Sequence, residues 1–154
     1  MTEAASWPDL AGRLVRDAEG ERHVLPIRVY FEDTDFSGLV YHATYLRWIE
    51  RGRSDFLRSK GVHHSALIDG SGGTPAAFVV RRMSLDYLRP ARIDDVLEVE
   101  TRVGAVTKAT LELEQTVRKD GTVLFKASVL VVLVSTAGKP LRLPKPILTA
   151  FGVA

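Results

Sequence analysis

Cysteine is absent from this chain of 154 residues. That excludes disulfides, thiolate metal centres and a cysteine nucleophile together. Long apolar runs are also missing: the longest aliphatic stretch, Val129–Val134, is far short of the roughly 20 residues a membrane span needs. Charge of one sign is scarce too, with 21 Lys and Arg against 19 Asp and Glu and a net +2. A sequence pI near 9.0 suits an anionic small molecule, but so weak and scattered a charge argues against nucleic acid. The start of the chain, "MTEAASWPDLAGRLVRDAEGE", lacks the basic-then-apolar order of a secretory signal. The cytoplasm is the expected location.

What is present reads as one globular domain: 45% hydrophobic and 26% charged residues are ordinary for a soluble chain of this length. Residues 1–20 are polar, carry Pro8, Gly12 and Gly20, and are expected to form a flexible extension before a single domain over residues 21–154. "HVLPIRVYF", His23 to Phe31, reads as a strand, and Pro26 puts it at an edge. From Thr44 to Lys60 the period becomes helical, with Tyr45, Ile49, Gly52 and Phe56 on one face. Glycine on that apolar face costs propensity, which implies a close approach of the sheet. Lys60-Gly61 is the stop signal. "DGSGGTP", Asp69 to Pro75, is a connection, and strands dominate thereafter.

"DVLEVETRV" alternates Leu97, Val99, Thr101 and Val103 against Glu98, Glu100 and Arg102, and "ATLELEQTV" repeats the pattern. Asp120-Gly121 signals a tight hairpin. The unbroken apolar end of "VLFKASVLVVLV" predicts a central strand buried on both faces. An apolar sheet face must be covered, so the fold class is α+β, a curled antiparallel sheet around one long helix.

The stretch "YFEDTDFSGLVYHATYLRWIE", Tyr30 to Glu50, crowds Glu32, Asp33 and Asp35 where a strand ends and a helix starts. One reading is a solvated turn whose acids cap the helix and favour its dipole. The other is chemical. If the helix starts near Tyr41 or His42, its first N–H groups have no internal partners, and Gly38 lets a ligand come close to them. A carbonyl on those donors would be polarised, and Asp35 could attack its carbon or activate a water. Carboxylates are weak nucleophiles towards amides and ordinary esters, so a thioester is the natural target.

Other chemistries fail on spacing. Asp33, Asp35, Ser37 and Gly38 fit an EF-hand start, but its twelfth position is Thr44 instead of Glu. "DGSGG" is not G-x-S-x-G, and no glycine-rich stretch ends in Gly-Lys-Ser/Thr. His63 and His64 diverge on any regular element and read as surface histidines.

"YFEDTDFSGLVYHATYLRWIERGRSDFL", together with "LDYLRPARIDDVLEVET" and "LPKPI", resembles the hotdog-fold acyl-CoA thioesterases of the 4-hydroxybenzoyl-CoA thioesterase type. Within them it is most similar to the Tol–Pal-associated bacterial branch. The resemblance implies Asp35 as the catalytic carboxylate, with Asp33 structural. It implies that the backbone N–H at His42 holds the thioester carbonyl and that the His42 side chain helps position water. Gly38, Val40, Tyr41 and Tyr45 would line the substrate site, and the tyrosines have packing as their other reading. Lys108 falls at a coenzyme A phosphate position, with Arg81, Arg82 and Arg89 as alternative cations. Trp48, Ile49, Phe78 and Met83 are candidates to shape the acyl cavity. The resemblance further implies no metal and no cofactor, a homodimer or homotetramer with active sites at the interface, and acyl-CoA as substrate. Acyl carrier protein or an envelope complex would be further partners. A non-catalytic module binding acyl-CoA or acyl carrier protein is the alternative within the same fold.

Overall fold

The computed structural model describes residues 12–70 and 73–153. Strands β1 (Arg13–Asp17) and β2 (Gly20–Arg28) lead through a short 3-10 turn (Phe31–Asp33) to helix α1 (Thr44–Ser59). Helix α2 (His64–Asp69) follows, and then β3 (Ala76–Tyr87), β4 (Val96–Val106), β5 (Thr110–Lys119) and β6 (Thr122–Ser135). The described chain closes with β7 (Pro140–Leu141) and α3 (Lys145–Ala150). The seven strands form one open sheet in the order β1-β2-β4-β5-β6-β3, with β7 beside β6. Every pair is antiparallel.

The expected alternation appears in β4 and β5. Leu97, Val99, Thr101, Leu111, Leu113 and Val117 are fully buried on the concave face. The Asp-Gly hairpin forms with φ of 49° at Asp120 and 81° at Gly121, the pair of positive values that a two-residue turn of right-handed twist requires. In β6, Val129, Val131 and Leu133 are buried, whereas Leu130, Val132 and Val134 are only half-buried. The outer face of this central strand is therefore less covered than its apolar run predicts.

Helix α1 crosses the concave face and buries Tyr45, Trp48, Ile49, Phe56 and Leu57, each contributing roughly 1.5–3 kcal/mol of transfer free energy. A Cβ on Gly52 would lie 2.8 Å from Val99 Cγ1 and 3.2 Å from both Gln115 Nε2 and Thr101 Oγ1. The sheet's side chains thus occupy the space a larger residue would need. Gln115, buried among them, is satisfied: Nε2 donates to the Ile49 carbonyl (2.8 Å) and to Thr101 Oγ1 (2.9 Å). Its Oε1 accepts from Arg53 at 3.1 Å. At the end of α1, Gly61 takes φ of +81° and Val62 N–H bonds the Leu57 carbonyl at 2.9 Å, a glycine-dependent stop.

Residues 1–11 of the expected extension lie outside the described residues, while Arg13–Asp17 pair with β2 as β1. Among the described residues that pairing covers only Gly20 to Val24 of β2, so none of them pairs with Pro26 on that flank, where a missing N–H costs no ladder bond. Among the described residues β3 has β6 as its partner on one side and no strand on the other, and it carries a bulge between Val80 and Arg82.

Candidate active site

The helix begins at Thr44, where the helical period starts, and not near Tyr41 or His42 as the chemical reading supposes, and the difference shapes the site. Val40 N–H is taken by the Ala91 carbonyl and Tyr41 N–H by the Asp33 carbonyl, each at 2.9 Å. These bonds hold the chain extended as far as Tyr41, so residues 41–43 form a turn and α1 begins at Thr44. Thr44 N–H bonds back to the Tyr41 carbonyl. Among the described residues, the His42 and Ala43 N–H groups have no hydrogen-bond partner. Unpaired donors therefore exist where the chemistry needs them, in a turn before the helix instead of its first turn.

Asp35 occupies a second turn, fastened to the first. Thr34 bridges Val40 and Leu39 bridges Arg92, while Asp35 N–H bonds the Leu39 carbonyl at 2.9 Å. Its exposed carboxylate receives two bonds on Oδ1, from Ser37 N–H at 2.8 Å and from the Ser37 hydroxyl. Oδ2 accepts nothing from the described residues. The Ser37 hydroxyl and N–H, with a smaller contribution from nearby His42, hold this carboxyl below the ordinary aspartate value. It is a carboxylate at neutral pH, with one oxygen unoccupied. Gly38, next in the turn, has φ of +83° with open space beside its Cα. Any L side chain there would be strained.

Asp33, the neighbouring acid, is otherwise engaged: Oδ2 accepts Tyr30 N–H at 2.8 Å and closes the 3-10 turn. Tyr45 is 3% exposed. Its hydroxyl accepts Ala91 N–H at 3.2 Å, and its ring stacks on Phe125 at 5.0 Å. Packing is thus its visible role. Tyr41 and His42 are exposed, with ring centroids 4.5 Å apart, and Val40 is buried beneath them. Of the residues expected to shape an acyl cavity, Trp48 and Ile49 are core. Phe78 lines a small cavity of about 90 Å³ with Glu50, Arg53, Ser54 and His64. His64 is half-buried, not a surface residue, and its enclosed Nε2 has no hydrogen-bond partner among the described residues.

Lys108 is not brought to this site within one chain. α1 starts beside Ala91 and ends where Asp55 meets His23 and Lys60 meets Glu21. Lys108 lies in the β4–β5 turn past that far end, its carbonyl accepting Leu143 N–H at 2.7 Å. The length of β4 alone is roughly 30 Å. A cavity of about 440 Å³ also lies at that end, between Val62, Leu67, Leu133, Leu141 and Ile147. Arg92 and Arg89 are the cations next to the Asp35 turn by sequence and bridging.

Two residues escaped the sequence reading. Ser37 entered only as one position of the rejected calcium-loop pattern. The Tyr87 hydroxyl donates to the His42 carbonyl at 2.7 Å, a contact across 45 residues that no local pattern encodes. Among the described residues no group of three or more His, Asp or Glu side chains could hold a metal, and no helix is long and apolar enough to cross a membrane.

An open antiparallel sheet around one long helix, with an acidic turn at the helix start, is the architecture of a hotdog thioesterase. The Thioesterase superfamily matches residues 37–126, and the chain belongs to that family. The acyl-CoA thioesterase YbgC of Haemophilus influenzae is 41% identical over 127 residues, covering 82% of this chain and 91% of its own. The acyl-CoA thioester hydrolase YbgC of Escherichia coli O6:H1 is 42% identical over 128 residues, covering 82% and 92%. The crystal structure of a probable thioesterase from Bartonella henselae superposes with a TM-score of 0.78 at 44% identity. It covers 80% of this chain and 99% of its own.

Proposed function

We propose that this protein hydrolyses acyl-CoA thioesters to the free acid and coenzyme A, with Asp35 as the catalytic carboxylate. One observation carries the reading: a carboxylate with one oxygen that accepts nothing from the described residues stands in a turn bonded to a second turn whose His42 and Ala43 N–H groups have no partner among them. The thioester carbonyl oxygen accepts from the His42 and Ala43 N–H groups, which stabilise the charge that builds on it during attack. Asp35 Oδ2 then either adds to the carbonyl carbon, expelling the coenzyme A thiolate, or takes a proton from the water that does. In the first case water hydrolyses the resulting anhydride. Both routes release one acid and one thiol. The exposed His42 imidazole stands beside this path and orients the water.

The site lies open in a single chain, which supports the assembly reading. β3 has a free edge with Val79 and Val80 about 40% exposed (43% and 41%), and an unpaired edge of this kind favours closure against a copy of itself. Joined about a two-fold axis, two β3 edges run antiparallel and set the Ala76 end of one beside the Tyr87 end of the other. The partner's Lys108 end then approaches the Asp35 turn, where it and Arg89 or Arg92 would meet the phosphates of coenzyme A. A homodimer or homotetramer working in the cytoplasm completes the proposal, its single domain taking in β1 (Arg13–Asp17) as well as residues 21–154, with acyl carrier protein or an envelope complex as further partners to be sought.

The test is thiol release from a panel of acyl-CoA substrates. Asp35→Asn folds and loses nearly all turnover, whereas Asp33→Asn loses mainly the stability of the turn. A fully active Asp35→Asn protein overturns the mechanism. Tight acyl-CoA binding by the native protein without thiol release would establish the non-catalytic module instead.

A further inference from the structure

We infer that Ser37 is a positioning residue for Asp35, fixing Oδ1 with two donors so that Oδ2 alone is presented to the substrate. The inference rests on the functional reading above and adds a residue to it. A carboxylate on a flexible surface turn can rotate about its terminal bond and offer either oxygen. Here the backbone N–H of Ser37 and its hydroxyl converge on the same atom, and the second bond is the discriminating one. The N–H bond is what any residue two places after an aspartate provides in such a turn. The hydroxyl is specific to serine or threonine and adds a second anchor from a different direction.

Ser37 Oγ is itself positioned, since it also accepts Leu39 N–H at 3.3 Å. With that N–H donating in, the hydroxyl proton is left to point at Asp35. Gly38 follows with its positive φ and returns the chain through its N–H bond to the Asp35 carbonyl at 3.0 Å. One backbone N–H and one hydroxyl therefore hold the carboxylate, the Gly38 and Leu39 N–H groups brace the turn around it, and Oδ2 accepts no hydrogen bond from the described residues. An oxygen that has spent its lone pairs on two donors is a poor nucleophile and a poor base, so selecting which oxygen is spent also selects the reactive one.

Two readouts test this without depending on each other. The first is direct titration of the Asp35 carboxyl carbon by NMR in the native protein, Ser37→Ala and Ser37→Thr. Losing the hydroxyl removes a bond that favours the charged form, so the Ser37→Ala midpoint moves up and Ser37→Thr returns it towards native. The second is the pH profile of acyl-CoA hydrolysis. Ser37→Ala loses kcat by roughly threefold to tenfold, the scale of one exposed charge-assisted bond, with KM little changed. Its acid limb moves in the same upward direction, and Ser37→Thr recovers both.

An Asp35 midpoint that is the same in all three proteins overturns the inference. So does a midpoint that moves while kcat and the acid limb stay native in an enzyme that Asp35→Asn inactivates. If Asp35→Asn is fully active, the functional reading falls and this one falls with it; the NMR result then shows only that the hydrogen bond exists.

Discussion

Two Asp–His pairs stand at opposite ends of α1, and they are put to different uses. At the far end Asp55 has spent both oxygens. Oδ2 accepts Gly12 N–H at 2.7 Å and meets His23 Nε2 at 2.6 Å, while Oδ1 accepts from Arg58 at 2.8 Å. His23 is completely buried, tilted against Phe56 at 5.8 Å, and no substrate can reach it. At the near end Asp35 keeps one oxygen free, and His42 is exposed beside two unpaired N–H groups. A carboxylate with both oxygens engaged by the protein ties the fold together. One with an open position next to unpaired donors has capacity for something that is not yet there.

Replacing each acid by its amide puts the contrast to its severest test. Asp35→Asn should lower the rate of thioester hydrolysis by about 10²–10⁴-fold, the usual contribution of a general base, and leave the melting temperature unchanged. Asp55→Asn should do the reverse. It keeps turnover near native but costs about 1–3 kcal/mol, because buried donors are left without a charged acceptor. At roughly 2–4 °C per kcal/mol for a chain of this size, calorimetry resolves that loss. A variant at Asp55 that loses activity while staying folded would break the comparison.

The pH dependence of that second loss sharpens it further. Burial works to raise the Asp55 carboxyl, but the bonds from Arg58, Gly12 and His23 outweigh burial and hold it below the ordinary value. A folded pKa depressed below the unfolded one gives stability that is present above the unfolded value, about 3.9. It is lost as pH falls through the folded value. The melting-temperature difference between native protein and Asp55→Asn should therefore be flat near neutrality and shrink below about pH 4. A difference that stayed constant through that acid range would take the Asp55 charge out of the comparison.

Gly52 lies between the two ends and tests whether they are independent. Alanine would gain about 1 kcal/mol of helix propensity. Its methyl group meets the stiff Val99 side chain at 2.8 Å, and overpacking of that kind costs about 1–3 kcal/mol. Crowding wins, so Gly52→Ala should be net destabilising by about 1 kcal/mol. If the ends are uncoupled, kcat stays native; a large fall in kcat would show that the packing of α1 on the sheet sets the geometry of the near end.

What could be read from the sequence divides along the same line. Strand alternation in β4 and β5, the Asp120-Gly121 turn, the Gly52 contact and the stop at Lys60-Gly61 are local patterns with local causes, and they are all present. The candidate carboxylate was legible because acids crowd the residues just before a helix. The turn that precedes α1 was not, since it depends on Tyr41 N–H reaching Asp33 and Val40 N–H reaching Ala91, pairings that need the folded chain. The sequence reading passed over Gln115, which is buried on β5's apolar face and satisfied by Arg53, Thr101 and Ile49. The His23–Asp55 pair joins residues 32 apart, and its meaning exists only once β2 lies beside α1.

The smallest expected effect is the most specific to the near end. The Tyr87 hydroxyl donates to the His42 carbonyl, which belongs to the same peptide group as the Ala43 N–H. A donor on the carbonyl polarises the amide and strengthens the N–H as a donor in turn. Tyr87→Phe keeps the ring contacts with Tyr45 and Phe125 at 5.6 and 5.0 Å and leaves an exposed carbonyl that water can satisfy, so the melting temperature should hardly move. Turnover should fall by roughly twofold to tenfold, the equivalent of one modest hydrogen bond, and the fall should sit in kcat because the oxyanion develops only during reaction. Burial holds the Tyr87 hydroxyl above its ordinary value, so it remains a donor up to about pH 10 and the effect should be constant across that range. A native kcat in Tyr87→Phe would remove the Ala43 N–H from the oxyanion site and leave the His42 N–H to act alone.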